Sequence, residues 1–137
     1  EVVDGSGLDQ GNRASCQLLV AALDHGRSDG PIGQGLAVAG QTGTMGDRFL
    51  DSPALGLVRA KTGSLNSVTA LAGFVDTEVG GPLTFATIVN IGEDELAEDE
   101  PPSVEQERLR QEELTEILLT YPELPEPELI GPLPPAP

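Results

Sequence analysis

Residues 57–91 read LVRAKTGSLNSVTALAGFVDTEVGGPLTFATIVNI, three short β-type runs divided by turn-forming residues. Leu57–Thr62 is the first candidate strand. Ser67–Thr77 is the second, with Val68, Ala70, Ala72 and Phe74 on one face and Leu71, Gly73 and Val75 on the other. Leu83–Ile91 is the third, alternating Leu83, Phe85, Thr87, Val89 and Ile91 against Thr84, Ala86, Ile88 and Asn90. Both faces of the last two runs are mostly apolar or small, so the sheet is expected to be covered on both sides. The connections Gly63–Asn66 and Glu78–Pro82 are short and turn-rich. An antiparallel three-strand meander is the simplest topology they allow.

Upstream, Asp4-Gly5-Ser6-Gly7 is a turn signal, with glycines free to take positive φ and Asp4 able to bond nearby backbone. The spacing of Cys16, Leu19, Val20 and Leu23 predicts a helix over about Arg13–His25, ended by Gly26 and Ser28-Asp29-Gly30-Pro31. Residues 30–56 are glycine-rich and aperiodic, so loops are expected there, with one short helix near Gly46–Leu50. Downstream, Glu93–Pro102 reads as an acidic linker. Ser103-Val104-Glu105-Gln106 has the form of a capping box. The helix it opens is expected to place Leu114, Ile117, Leu118 and Tyr121 on one stripe and to stop at Pro122. The proline-rich remainder, 122–137, is expected to be an extended or disordered tail.

Composition narrows the function. Of 137 residues 23 are Asp or Glu and 7 are Lys or Arg, and most of the acid lies after residue 92. With one Tyr, three Phe and no Trp, the chain has neither the basic footprint nor the stacking platform of a nucleic-acid binder. One cysteine, Cys16, excludes an internal disulfide, and with one histidine, His25, no zinc set and no cofactor is expected. Cys16 reads as a small core residue and His25 as a helix C-terminal cap. No apolar run approaches the ~20 residues needed to span a bilayer, and the opening Glu1-Val2-Val3-Asp4-Gly5 reads as the middle of a folded domain rather than a signal peptide. Two helices and three small strands make a thin core for a domain of this size. The sheet is therefore expected to be completed by further chain.

Arg59-Ala60-Lys61-Thr62-Gly63-Ser64-Leu65 is the stretch most suited to chemistry. A strand at a cleft edge offers unpaired N–H and C=O groups to which an extended peptide can add. Lys61 would place an ammonium where a substrate's C-terminal carboxylate docks, and Thr62 would add a hydroxyl to that contact. Gly63 lets an acyl group approach the backbone, and the Ser64 N–H could face a developing oxyanion. The competing reading of Lys61 is a solvated lysine at a strand end. For Ser6 and Leu8 it is a turn and a buried anchor, at even weight. Arg48 is read as an organiser of loop carbonyls.

One ordered series turns the balance: Val3-Asp4-Gly5-Ser6-Gly7-Leu8, Gly43-Thr44-Met45 with Arg48, Val58 to Leu65, Leu71-Ala72-Gly73-Phe74-Val75, and Ile88-Val89-Asn90. It resembles the class C low-molecular-mass penicillin-binding proteins, the D-alanyl-D-alanine carboxypeptidase/endopeptidase family, over roughly residues 1–92. The Lys-Thr-Gly element is a general signature of penicillin-binding proteins and β-lactamases.

The resemblance implies an α+β fold, the C-terminal part of a serine β-lactamase/transpeptidase-like domain over residues 1–121. It implies a carboxypeptidase acting on peptidoglycan stem peptides and acylated by β-lactams, outside the bacterial cytoplasmic membrane. Lys61, Thr62, Gly63 and Ser64 would bind the substrate carboxylate and form the oxyanion hole, with Ser6, Leu8, Gln10 and Leu65 lining the substrate. The family also uses Ser-x-x-Lys and Ser-x-Asn motifs. The first does not occur in the sequence, and Ser64-Leu65-Asn66 overlaps the Lys-Thr-Gly turn where the family's Ser-x-Asn would precede Asp4. This chain by itself is expected to be inactive, its missing partner being the N-terminal part of the same protein.

Where the family usually has Ser-Arg after Asp-Gly-Ser-Gly-Leu, this chain has Asp9-Gln10. Loss of the arginine implies weaker preference for a free diamino-acid carboxylate in the stem. The alternatives are a β-lactamase or esterase on the same scaffold, or a non-catalytic module that binds cell-wall peptide.

Overall fold

The computed structural model describes residues 1–9, 11–65, 68–91 and 103–123. The meander forms as its alternation predicts. β2 (Val58–Leu65), β3 (Val68–Asp76) and β4 (Pro82–Asn90) pair antiparallel in sequence order. A short β1 (Ala37–Val38), not foreseen in the glycine-rich stretch, pairs with the outer edge of β2 only at Ala60 and Arg59. The acidic linker and most of the proline-rich tail lie outside the described residues.

Register fixes what each face carries. Val58, Ala60, Thr62 and Ser64 stand opposite Val75, Gly73, Leu71 and Thr69, and β4 adds Leu83, Phe85, Thr87 and Val89 to that face. The other face carries Arg59, Lys61, Gly63 and Leu65 with Val68, Ala70, Ala72 and Phe74. The first face holds the core, in which Val58, Ala60, Leu71, Val75 and Phe85 pack with Ala39, Met45, Phe49 and Ala54. The second is covered in part by α1 (Cys16–Gly26), which packs on β4 and β3.

α1 begins later than its periodicity suggests because Ser15 caps it, the Ser15 hydroxyl accepting from the Leu18 N–H at 3.2 Å. Its Cys16, Leu19, Val20 and Leu23 stripe is the inward one, with Leu23 the most buried. His25 falls in the last turn.

Two expectations are corrected. Residues 46–50 form turns, and the helical pieces of this region are α2 (Pro31–Gly35) and a 3-10 turn at Gly43–Met45. Pro31 supplies a preset φ at the first position of α2. The second concerns α3 (Val104–Ile117), whose capping box at Ser103 and Gln106 forms as predicted. Its inward residues are Glu107, Gln111 and Thr115, followed by Leu118 and Leu119 in a 3-10 turn, while Leu114, Ile117 and Tyr121 are exposed. The helix is thus rotated from the apolar stripe, because its strongest tether is polar. Glu112 reaches back to Arg48.

Gly73 has a packing reason. A Cβ there would lie 2.0 Å from the Arg59 carbonyl oxygen and 2.7 Å from the Ala60 Cα. Both are backbone atoms of the paired strand and cannot step aside. Gly73→Ala is expected to cost about 3 kcal/mol, as overpacking in a close-packed interior does. Urea denaturation of the intact protein checks it; a loss below 1 kcal/mol, on the order of an ordinary surface change, would refute the close approach.

Candidate active site

The Lys61–Leu65 half of β2 extends past β1, whose pairing ends at Ala60. The Ala39 N–H donates to the Val58 carbonyl at 2.9 Å on that outer side. Alternate residues of an antiparallel strand direct their backbone groups to the same side, so Thr62 and Ser64 turn N–H and C=O outward where β1 has ended. Among the described residues, β2 therefore presents an open edge along the Lys-Thr-Gly segment.

A cleft of about 950 Å³ runs along this segment and is lined by Lys61, Thr62, Gly63, Ser64 and Leu65 from β2 and by Ser6 and Leu8 from the N-terminal loop. Leu19 of α1 and Val68, Ala70 and Ile88 of the sheet form its apolar floor. Seven of the eight residues singled out from the sequence thus share one cleft; the eighth, Gln10, lies outside the described residues. Lys61 and Thr62 leave the strand on opposite faces. The Lys61 ammonium folds back to donate to the Thr62 carbonyl at 2.6 Å, and the side chain is exposed. Gly63 has little room for a side chain, since a Cβ would stand 3.3 Å from that of Ala70.

The loop carrying Ser6 and Leu8 is held by its own polar side chains. The Ser6 hydroxyl donates to the Asp4 carboxylate, which also accepts from the Gly7 N–H at 3.2 Å and the Asn12 amide at 2.8 Å. Ser6 Oγ accepts in turn from the Leu8 N–H at 3.2 Å. Gly7 takes φ +77°, as the turn requires. The Ser6 hydroxyl, then the Asn12 amide, hold the Asp4 carboxyl below its ordinary pKa, so the turn keeps a charged acceptor further into the acid range. Asn12 closes the loop, its Oδ1 accepting from the Val3 N–H at 2.8 Å. Its part in the loop was not visible in the sequence, where it is one polar residue among several.

On the core side of β2, the Gly43–Met45 turn brings Thr44 against the strand. The Thr62 hydroxyl donates to Thr44 Oγ1 at 2.8 Å. The turn is anchored from below by the buried Arg48, whose acceptors lie on α3 and not among the loop carbonyls expected for it. Arg48 Nε donates to Glu112 Oε1 at 2.7 Å and Nη2 to the Arg108 carbonyl at 2.9 Å, both on α3. Glu112 Oε2 accepts from the Phe49 N–H at 3.1 Å. Phe49 is held at φ +62°, a left-handed conformation unfavourable for an aromatic residue, and the Glu112 clamp overrides that cost. α3 therefore supports the turn that touches Thr62.

Comparison with known proteins agrees with this layout. The chain is 40% identical over 99 residues to Carboxypeptidase DacB of Mycolicibacterium smegmatis, covering 66% of this chain and 22% of that protein. It is 36% identical over 96 residues to a D-alanyl-D-alanine carboxypeptidase of an Actinomadura species, covering 64% of this chain and 18% of the other. Among solved structures, penicillin-binding protein 4 of Haemophilus influenzae, complexed with a β-lactam, superposes with a TM-score of 0.69 at 27% identity. That superposition covers 86% of this chain and 28% of the other. The chain thus spans about a fifth of the length of these curated relatives. A sequence profile matches residues 1–109, past the sheet and into α3, further than the resemblance read to residue 92. Strand order, open edge and profile point the same way, and the chain belongs to the D-Ala-D-Ala carboxypeptidase 3 (S13) family.

Proposed function

We propose that this chain supplies the substrate-binding wall of a serine D-alanyl-D-alanine carboxypeptidase whose nucleophile lies elsewhere in the polypeptide. The observation that carries the reading is the open β2 edge from Lys61 to Leu65, facing Ser6 and Leu8 across one cleft. An extended stem peptide adds to that edge as a strand. Its terminal carboxylate meets the Thr62 hydroxyl and the Lys61 ammonium once that ammonium swings away from the Thr62 carbonyl. The scissile carbonyl oxygen points to the outward Ser64 N–H, one donor of an oxyanion hole. A serine hydroxyl from the missing portion attacks that carbonyl. Its proton passes to the departing D-alanine amine, and water then hydrolyses the acyl-enzyme.

Residues 1–121 belong to this catalytic domain, and the protein works on peptidoglycan at the cell envelope. Among the described residues no helix is long and apolar enough to cross a membrane. β-Lactams present a carboxylate beside a reactive carbonyl and take the same place. Fluorescent penicillin is expected to leave this chain unlabelled and to label the intact protein on a serine. Failure of the intact protein to label would overturn the enzymatic reading in favour of a peptide-binding module.

A further inference from the structure

The Thr44–Thr62 contact has no role in the reading above. It joins two hydroxyls from segments 18 residues apart, one in a 3-10 turn and one in the middle of the open strand edge. A hydroxyl carries one proton and two lone pairs. As it stands, Thr62 spends its proton on Thr44 and has none for an incoming anion. If Thr44 rotates its own proton toward Thr62 Oγ1, the Thr62 proton is freed to point at a carboxylate. The two rotors turn without moving a heavy atom, and two hydrogen bonds in series polarise each other. Thr44 is exposed, so its hydroxyl contributes no buried polar contact to the fold.

The position of Thr44 is defined from two sides. Gly43 enters the turn at φ +53°, a conformation that suits glycine, and the Met45 N–H donates to the Thr42 carbonyl at 3.2 Å. Three residues on, the buried Arg48 ties the turn to α3. The heavy atoms of the relay are therefore in place before any ligand arrives.

We infer that Thr44 is a positioning residue, donating to Thr62 Oγ1 so that the Thr62 hydroxyl proton is delivered to the C-terminal carboxylate of the substrate. This rests on the function proposed above, and it deepens it by assigning selection for a free C-terminal carboxylate to a Thr44–Thr62 relay.

The test compares the intact protein with its Thr44→Val and Thr44→Ser variants on two peptides. One is a diacylated Lys-D-Ala-D-Ala with a free carboxylate, and the other is the same peptide ending in D-alaninamide. Valine keeps the β-branched shape of threonine and removes only the hydroxyl. The wild type is expected to prefer the free acid. Thr44→Val is expected to lose about tenfold in kcat/KM on the free acid, as loss of a hydrogen bond serving a charged group does, with little change on the amide. Thr44→Ser is expected to restore the preference. Equal loss on both peptides, or no loss on either, would overturn the relay while leaving the enzyme intact. A wild type that turns over both peptides equally would overturn carboxylate recognition by Thr62 and the relay with it, and a wild type that turns over neither would overturn the function itself.

Discussion

Glu112→Ala is expected to cost the protein about 3–5 kcal/mol, because it strands a buried guanidinium. The Arg48 side chain is 1% exposed and that of Glu112 16% exposed, so the pair is almost dry. Glu112 satisfies three demands at once: the charge of Arg48, one of its N–H donors, and the Phe49 N–H. Without the carboxylate, Arg48 keeps one acceptor, the Arg108 carbonyl, and its contact with the Phe49 ring at 5.7 Å. Neither replaces a counter-charge for a guanidinium that is itself almost wholly buried. Phe49 also loses the acceptor that holds it at positive φ. Glu112→Gln, which keeps an acceptor but not the charge, should fall between. The decisive comparison is Arg48→Met combined with Glu112→Ala. Removing both charges should recover much of the loss, since an apolar replacement of a buried pair is often neutral. Thermal and urea denaturation of the intact protein measure all three variants; a double variant no more stable than Glu112→Ala would show that the buried charge is not the cause.

That pair also marks the limit of what the sequence discloses. The meander was legible because two-residue alternation runs through Val68–Val75 and Leu83–Val89, and the turns between strands are short. The Cys16-Leu19-Val20-Leu23 stripe was legible for the same reason at helical spacing. In α3 the apolar spacing and the buried face part company. Of the apolar stripe Leu114, Ile117, Leu118 and Tyr121, Leu118 packs on the core while the other three are exposed, and the helix residues turned inward are Glu107, Gln111 and Thr115. Local periodicity reports amphipathicity. It does not report a partner 64 residues away, and the Arg48–Glu112 tether decides the rotation. The short β1 at Ala37–Val38 was missed because its two residues are too few for any period.

At the site, the cleft residues were legible from the ordered motifs. Thr44, though part of that series, had no assigned role, since nothing local to Gly43-Thr44-Met45 says that its hydroxyl meets Thr62.

The second large effect is on chemistry. On the function proposed above, Lys61→Ala in the intact protein is expected to lower the rate of acylation by penicillin about a hundredfold while leaving the fold intact, since a hydrogen bond to a charged group contributes roughly 1.5–3 kcal/mol. The two halves of that expectation have separate causes. Lys61 is exposed and its only hydrogen bond is to the carbonyl of the next residue, among the contacts of the described residues. Surface lysines of this kind change stability by about 0.5 kcal/mol or less when truncated. Its neighbours Thr62, Gly63 and Ser64 keep their register against Leu71, Ala70 and Thr69 whatever the side chain at 61. What disappears is the cation on the β2 side of the cleft. The described lining otherwise brings Arg13 on the far wall and the acid Asp9, so the field that draws a carboxylate to the β2 edge falls sharply. Lys61→Arg keeps the charge but replaces a flexible point donor by a planar fork, and partial activity is expected. Stopped-flow acylation beside thermal denaturation separates the two effects. If Lys61→Ala acylates at the wild-type rate, Lys61 is a solvated lysine at a strand end, and the carboxylate is held by the Thr62 hydroxyl and backbone alone.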